Sequence, residues 1–507
     1  MMKEKPTYRN PWSWIPSLYF TEAIPYVMVM TVSVMMYKNL NISNTDIAFF
    51  TSLLYFPWFL KFLWGPFIDM FKTKRFWIVT MQFVIAVTLF GIAIGLPTSF
   101  FWGITLIVFA IMAFASATHD IAADGLYMLG LEQQQQSAFV GVRSTFYRIA
   151  TVFGSGLLVV IAGELAPSMG FKGAWSIVFV IAGILFLLLF FYHKFILPYP
   201  VEDKGTLSSK KLKSSQIGFL FGGFFLFAGA LYLAFLIISS LLNVIGIVSP
   251  WKTISSTIAL VLAIVILFRT FVARYVENFE KSPTQNELLL PFIEFLKAFV
   301  IFMKKKDIWN ILGFLLFFRF AEAQLVKLVQ PFLLDPRSSG GLELTTSQVG
   351  IVYGTIGIIA LTAGGLIGGY VISKQGLKWW LWPMIMSVHI PDLVFVYLSQ
   401  YLPHDLLIIN LAVAFEQFGY GFGFTAYMMF MIMISEGEHK TAHFAICTGI
   451  MALGMMIPGM FSGALQEQIG YQNFFLWIMV STIPGFIVTA LIKVDPQFGK
   501  KQNNSKK

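Results

Sequence analysis

Lys61-Phe-Leu-Trp-Gly-Pro-Phe-Ile-Asp69, continued by Lys72, Lys74 and Arg75, sets a lysine inside an apolar run and ends that run on an acid and a basic turn. A lysine in hydrocarbon costs several kcal/mol unless it faces protein or a water-filled cavity, so it marks a functional site by default. The stretch reads as the basic end of a membrane helix that carries a working charge. The expected fold is therefore an all-α polytopic membrane protein.

Composition agrees. Of 507 residues, 57% are hydrophobic and 12% charged, against roughly 25% charged in soluble domains. A polar start (Lys3, Lys5, Arg9) runs straight into a long apolar segment without a small-residue cleavage site. The one cysteine, Cys447, excludes an intrachain disulfide and a cysteine metal cluster, and no cofactor or metal is expected. A net charge of +10 suits either nucleic acid or basic cytoplasmic loops. Its distribution favours the loops, so the lipid bilayer is the expected partner and nucleic acid is not.

Fourteen apolar runs are long enough to span, each with roughly the 20 residues a bilayer needs. Six (14–37, 45–68, 76–96, 101–126, 140–162, 175–195) form an expected N-terminal bundle over 14–195. Two more, 217–244 and 254–276, make an inserted pair over 217–276. The last six (308–334, 348–372, 379–402, 406–434, 442–465, 474–492) form a C-terminal bundle over 308–493. The tails are 1–13 and 494–507, and linkers occupy 196–216 and 277–307. In the second linker, Leu288–Met303 reads as an amphipathic helix on the cytoplasmic surface or as a partly buried connector. Lys and Arg gather in the tails, at 72–75, 194–213, 281–306, 374–378 and 440, whereas the opposite loops hold only Lys38, Lys172, Lys252 and Arg337. Both termini are then expected to be cytoplasmic, with an even number of spans.

The halves repeat. Ser43 with Asp46 and Thr345 with Gln348 form the same capping-box-like helix start, 302 positions apart; Lys72 and Lys374, and Trp77 and Trp379, keep that offset. Parallel repeats of this kind relate the two halves of facilitator transporters. By the same offset Lys61 falls on Ala363 and Asp69 on Val371, so the charges of the opening stretch are not duplicated.

The chain resembles the AmpG-type muropeptide permeases, a branch of the major facilitator superfamily that is also similar to acetyl-CoA transporters. The resemblance rests on Lys61 to Asp69, on Ser116-Ala-Thr-His-Asp120-Ile-Ala-Ala-Asp124, on Phe415-Glu416-Gln417 and on Thr441-Ala-His-Phe444. It departs at Met70, where the family usually has a base, and at Glu22, where it has a small neutral residue. The resemblance implies a major facilitator fold of two six-helix bundles with an added helix pair, and docking of Asp69 on the other half when the transporter opens outward.

Several charges lie within the apolar runs. Lys61 and Asp69 differ by about 80° in azimuth and about 12 Å in height, so they do not pair. Lys61 either snorkels to the cytoplasmic surface or faces a cavity. Asp120 and Asp124 share a helix face with Tyr127 and repel unless cations neutralise them. Arg143 and Arg148 lie at matching depth on the next helix but about 140° apart, so one is expected to neutralise the aspartates and the other to serve a gate. His119, beside Asp120, could bind a metal, but adjacent positions point to different faces. Glu22 lies near mid-membrane with Tyr26 on its face. In the second half Arg319 and Glu322 share a face at i, i+3, Lys327 lies farther outward, and Glu416 meets a glycine-rich crossing.

The resemblance, together with these buried acids, implies a proton-coupled symporter, monomeric and not an enzyme, that imports an anionic sugar–peptide such as an anhydro-muropeptide across a bacterial cytoplasmic membrane. Glu22, Asp120 and Asp124 would exchange protons. Lys61, Arg319, Glu322, Lys327, Glu416 and Tyr26 would bind substrate, and Asp69, Lys72, Arg75, Arg143 and Arg148 would gate. The alternatives are a carrier of acetyl-CoA or another bulky anion and, from a different class, a membrane enzyme using His119, Asp120 and Asp124.

Overall fold

Local capping and apolar length account for the first bundle. The computed structural model describes residues 9–70, 72–200, 203, 290–437 and 439–500. The expected pair at 217–276 lies outside the described residues, as do most of the linker 196–216 and residues 277–289 of the second linker.

Helix α1 (Ile15–Val27) passes through a widened π turn, Met28–Val32, into α2 (Ser33–Asn39). Pro25, which supplies no backbone donor, lies just ahead of that turn. Ser43 accepts from the Asp46 amide at 3.0 Å and starts α3 (Asn44–Leu53). The next helix, α4 (Phe56–Met70), follows a break at Leu54 and Tyr55. Pro57 explains the break, because its ring would strike the Leu53 carbonyl in a continuous helix. Thr73 caps α5 (Lys74–Gly95), which is followed by α6 (Phe101–Gly130) and α7 (Gln133–Thr151). A π turn at Val152–Leu157 leads into α8 (Leu158–Ile196), which folds back at Gly170. Its φ of 72° is open chiefly to glycine.

After the connector helix α9 (Leu290–Met303), the second bundle repeats this plan. Helices α10 (Ile308–Phe317) and α11 (Phe320–Leu334) form one broken passage. Thr345 and Gln348 close a reciprocal capping box on α12 (Thr346–Ile351), which a π turn joins to α13 (Ile358–Gln375). Next come α14 (Leu377–His389) and α15 (Leu393–Tyr401), interrupted around Pro391. Helix α16 (Leu406–Ser435) precedes α17 (Lys440–Ser481), which turns back at Gly470 with φ 75°, and the chain ends on α18 (Ile483–Leu491). Four runs expected to be continuous (45–68, 308–334, 379–402 and 474–492) are thus broken. No strand occurs among the described residues.

The bundles meet through glycines. A Cβ on Gly463 of α17 would lie 2.0 Å from the Asn44 carbonyl oxygen, and one on Gly354 would lie 1.9 Å from that of Ser155. Helix α3 therefore lies against α17, and the π turn ahead of α8 against the π turn after α12, where α8 and α12 also touch. Helix α9 docks on one face only: Ala298 and Phe302 are buried, Ile301 is exposed, and His443 Nε2 lies 3.1 Å from the Ala298 carbonyl oxygen.

Candidate transport site

Helices α1, α4, α6 and α7 converge on a charged cluster in the first bundle. Lys61 Nζ reaches Asp120 Oδ2 at 2.6 Å. One turn along α6, Asp124 Oδ1 accepts from Arg143 Nη2 at 2.7 Å and from the Tyr19 hydroxyl at 3.1 Å. The Arg143 guanidinium also lies 4.3 Å from the Tyr19 ring centre and 5.0 Å from that of Tyr127. Glu22 faces Asp120, Asp124 and Arg143, is 9% exposed, and its Oε2 has no hydrogen-bond partner. Each aspartate therefore has a cation of its own, and Glu22 has none. Arg143 is the neutralising arginine that helix geometry required. Lys61 takes the other aspartate, a pairing that sequence spacing did not reveal.

His119 belongs to a different network. Gln82 Nε2 donates to it at 3.0 Å, Gln82 Oε1 accepts from His193 Nδ1 at 3.0 Å, and Ser17 lies 2.9 Å from His193 Nε2. These bonds turn the ring away from the aspartates and favour no joint metal site.

Between the bundles, cations meet tyrosines. Arg319, in the break ahead of α11, donates to the Tyr420 hydroxyl and lies 4.9 Å from the Phe424 ring centre. Arg148 faces Tyr147 and Tyr420, is partly exposed, and makes no ion pair or hydrogen bond among the described residues. Tyr26 packs edge-on against Trp58 at 5.2 Å and faces Tyr55. Lys327, 2% exposed, donates to Thr51 of the opposite bundle at 2.9 Å and lies over the Tyr55 ring.

The expected i, i+3 pair of Arg319 and Glu322 is not formed. The chain leaves helical geometry at Arg319, with φ −108° and ψ 20°, and aims its guanidinium at Tyr420 instead. Glu322 turns toward Asp392 and Glu416, and one carboxylate oxygen from each of the three lies within 4.8 Å of the others. Asp392, the one acid in the 379–402 run, carried a signal that sequence reading missed.

The two ends of the molecule differ. At the basic end the side chain of Asp69 lies outside the described residues. Lys72 is exposed there, with φ 64°, over Phe76. Arg75 is buried in its own bundle, donating to the Lys194 carbonyl and stacking 3.5 Å from the Tyr199 ring centre. Asp203 accepts from the Lys74 and Arg75 amides at 2.7 and 3.3 Å. Arg75 thus fastens α5 to the segment after α8.

At the opposite end the bundles are tied together. Lys38 meets Asp335 at 2.5 Å, and Asn44 Nδ2 donates to Gln466 at 2.7 Å. Thr45 donates to Glu467 at 2.5 Å, and Ser347 to Glu164 at 2.8 Å. A 750 Å³ vestibule lies here, lined by Lys38, Asn44, Asp335, Thr345 and Glu467. Sequence reading had placed Lys38 and Arg337 at this end but overlooked Asp335, the acid that meets Lys38.

Two repeat-related bundles, closed over a charged core at one end, define a secondary transporter of the two-bundle class. Residues 17–316 match the Major Facilitator Superfamily, and the chain belongs to that family. It is therefore a multi-pass membrane transport protein rather than an enzyme. AmpG 2 of Rickettsia prowazekii, named as a transporter, is 25% identical over 54% of this chain, and the match spans 60% of that relative's length. AmpG 4 of Rickettsia conorii is 21% identical over 93% of this chain and 94% of its own. The resemblance to the AmpG-like branch therefore stands. Among solved structures, the nucleoside transporter NupG superposes with a TM-score of 0.60 at 15% identity, covering 94% of this chain and 99% of its own. A POT family transporter in complex with 5-aminolevulinic acid gives 0.63 at 13% identity, over 94% and 95%. These two share the fold.

Proposed function

We infer that the protein imports an anionic sugar–peptide such as an anhydro-muropeptide, together with protons, by alternating access across a bacterial cytoplasmic membrane. The observation that carries this reading is Arg148, a guanidinium between the bundles with no acid paired to it among the described residues. Opposite it, Arg319 has the Tyr420 phenol as its hydrogen-bond acceptor. A carboxylate between them would gain charge-assisted, bidentate hydrogen bonds. The tyrosines around them offer flat faces and hydroxyls to a sugar ring.

Glu22 is the proton carrier in this reading, because Asp120 and Asp124 are already neutralised. Lys61 is held by Asp120 in this state and reaches substrate only when that pair opens. Lys327 serves the crossing of α11 with α3 rather than the cargo. Glu322 and Glu416 leave the substrate set, since they face each other and Asp392. With basic loops on the cytoplasmic side, the Lys38–Asp335 end is the outer gate, closed here. Asp69 and Lys72 then stand at the inner gate, while Arg75 is spent on anchoring α5 within its own bundle.

Uptake into proteoliposomes tests the reading, with a muropeptide panel and acetyl-CoA, each with and without an imposed proton gradient. Muropeptide uptake driven by the gradient is the expected result. Uptake of acetyl-CoA alone would transfer the Arg148–Arg319 site to a bulky phosphorylated anion, and indifference to the gradient would end the proton role of Glu22.

A further inference from the structure

We propose that Glu322, Asp392 and Glu416 form a second site, in the C-terminal bundle, that takes up a hard monovalent cation, H⁺ or Na⁺. The inference goes beyond the cargo reading and does not depend on it.

The three carboxylates come from three passages: Glu322 on α11, Asp392 in the turn between α14 and α15, and Glu416 on α16. They are 2%, 1% and 1% exposed. One oxygen of each lies within 4.8 Å of the other two. Like charges about 4 Å apart repel by about 4 kcal/mol even at an effective dielectric of 20, so three ionised carboxylates do not persist here without cations.

Their hydrogen bonding points to a missing partner. Both Oδ1 and Oδ2 of Asp392 and Oε2 of Glu322 are buried with nothing to bond to among the described residues. Glu416 Oε2 is held by Gln417 Nε2 at 2.9 Å. Buried acceptors are normally satisfied, and unmet ones call for an unseen proton or ion. The chain breaks supply a second, independent indication. Two of the three passages are interrupted beside the cluster, at Phe318–Arg319 and around Pro391. Interrupted membrane helices are how transporters expose backbone groups to substrates and coupling ions.

The groups facing the cluster do not neutralise it. Arg319 faces Glu322 without an ion pair and is engaged with Tyr420 and Phe424. Tyr353 and Tyr420 are neutral phenols facing the acids. His389, one turn before Asp392, contacts the Phe318 and Phe486 rings. Hard carboxylate oxygens select H⁺, Na⁺ or an alkaline-earth ion. The monovalent ions fit a transport cycle, because a bound ion must also leave, and a divalent ion between three buried carboxylates would leave slowly.

Cation binding to the purified full-length protein in detergent, without cargo, tests the site. For Na⁺, titration into Na⁺-free buffer at pH 8 is expected to raise the unfolding midpoint saturably in the native chain, with K⁺ inert. For H⁺, the midpoint ignores Na⁺, and raising the pH releases fewer bound protons from the variant than from the native chain. Asp392→Asn and, independently, Glu416→Gln should each abolish the response by at least tenfold in midpoint concentration. Should one variant fail to fold, the other carries the test. A Na⁺ or proton response unchanged in both variants, or a response to Ca²⁺ alone, overturns the proposal. Cargo specificity does not enter the readout, so failure here leaves the cargo reading standing, and the reverse.

Discussion

Lys61 and Arg143 neutralise neighbouring aspartates in unequal surroundings, and that inequality makes separable predictions. The Lys61 and Asp120 side chains are 20% and 18% exposed, whereas Arg143 and Asp124 are 29% and 43% exposed. Breaking the more enclosed pair strands a lysine, at a cost of about 3 kcal/mol; an exposed pair is worth about 1 kcal/mol. Asp120→Asn should therefore lower the thermal midpoint of the purified protein clearly more than Asp124→Asn. Asp124→Asn should collapse uptake while membrane levels stay normal; loss of the protein itself would assign Asp124 a structural role only. Glu22 forms no ion pair among the described residues, Arg143 being bonded to Asp124, so Glu22→Gln should flatten the pH dependence of uptake with little loss of stability. An intact pH profile would remove Glu22 from coupling. Arg148→Ala should weaken apparent substrate affinity by roughly 10- to 100-fold, the effect of losing a charge-assisted contact of about 1.5–3 kcal/mol. Arg148→Lys should recover only part of it, since an ammonium lacks the planar fork. Unchanged affinity in Arg148→Ala would remove the observation on which the anion reading rests.

At the scale of elements, the two crossings between bundles are backbone contacts, and glycine is what permits them. A Cβ on Gly354 would lie 1.9 Å from the Ser155 carbonyl oxygen and 2.6 Å from the Gly156 nitrogen. Neither atom belongs to a side chain that could swing away. Gly354→Val should therefore pry apart the π turns that precede α8 and follow α12, and favour the state open at the Lys38–Asp335 end. Thiol labelling of Asn39→Cys in a Cys447→Ser background should rise about tenfold, the effect of a shift of about 1.4 kcal/mol; an unchanged rate would mean that the crossing does not control access. Most spans among the described residues, the Ser43 and Thr345 caps and the repeat were legible in the sequence because each is set locally: by apolar length, by a hydroxyl three residues ahead of an amide, by a constant offset. The break at Arg319 was not legible, because the apolar pattern runs through it without a proline. The Lys61–Asp120 pair was equally hidden. It joins residues 59 positions apart and depends on how α4 and α6 rotate about their own axes, which periodicity does not fix.

On the scale of the whole molecule, the closed end duplicates its ties, whereas the basic end keeps Lys72 and Lys374 in register but does not duplicate Lys61 and Asp69. Thr45 donates to Glu467, and Ser347, its counterpart 302 positions later, donates to Glu164. The donors of the two ties are thus related by the internal repeat, whereas the Lys38–Asp335 pair at the same end is not repeated. A paired arrangement closes two crossings together, so opening this end requires both to part in one rocking motion. The basic end has Lys61 and Asp69 in one half against Ala363 and Val371 in the other, and so has no such symmetry. Linking either tie covalently should therefore block the cycle as completely as linking both. Cysteines at Thr45 and Glu467, or at Ser347 and Glu164, in a Cys447→Ser background, should cross-link with a short thiol reagent and stop proteoliposome uptake, and reductive cleavage of the link should restore it. The partner measurement is Asp335→Asn. Lys38 keeps its bond to Asn44 at 2.8 Å but loses its acid, so the closed state weakens and cross-linking at both ties should slow together. Slowing at one tie alone would mean that the crossings open independently, and the rocking of two rigid bundles would have to be replaced by separate movement of α3 and α12.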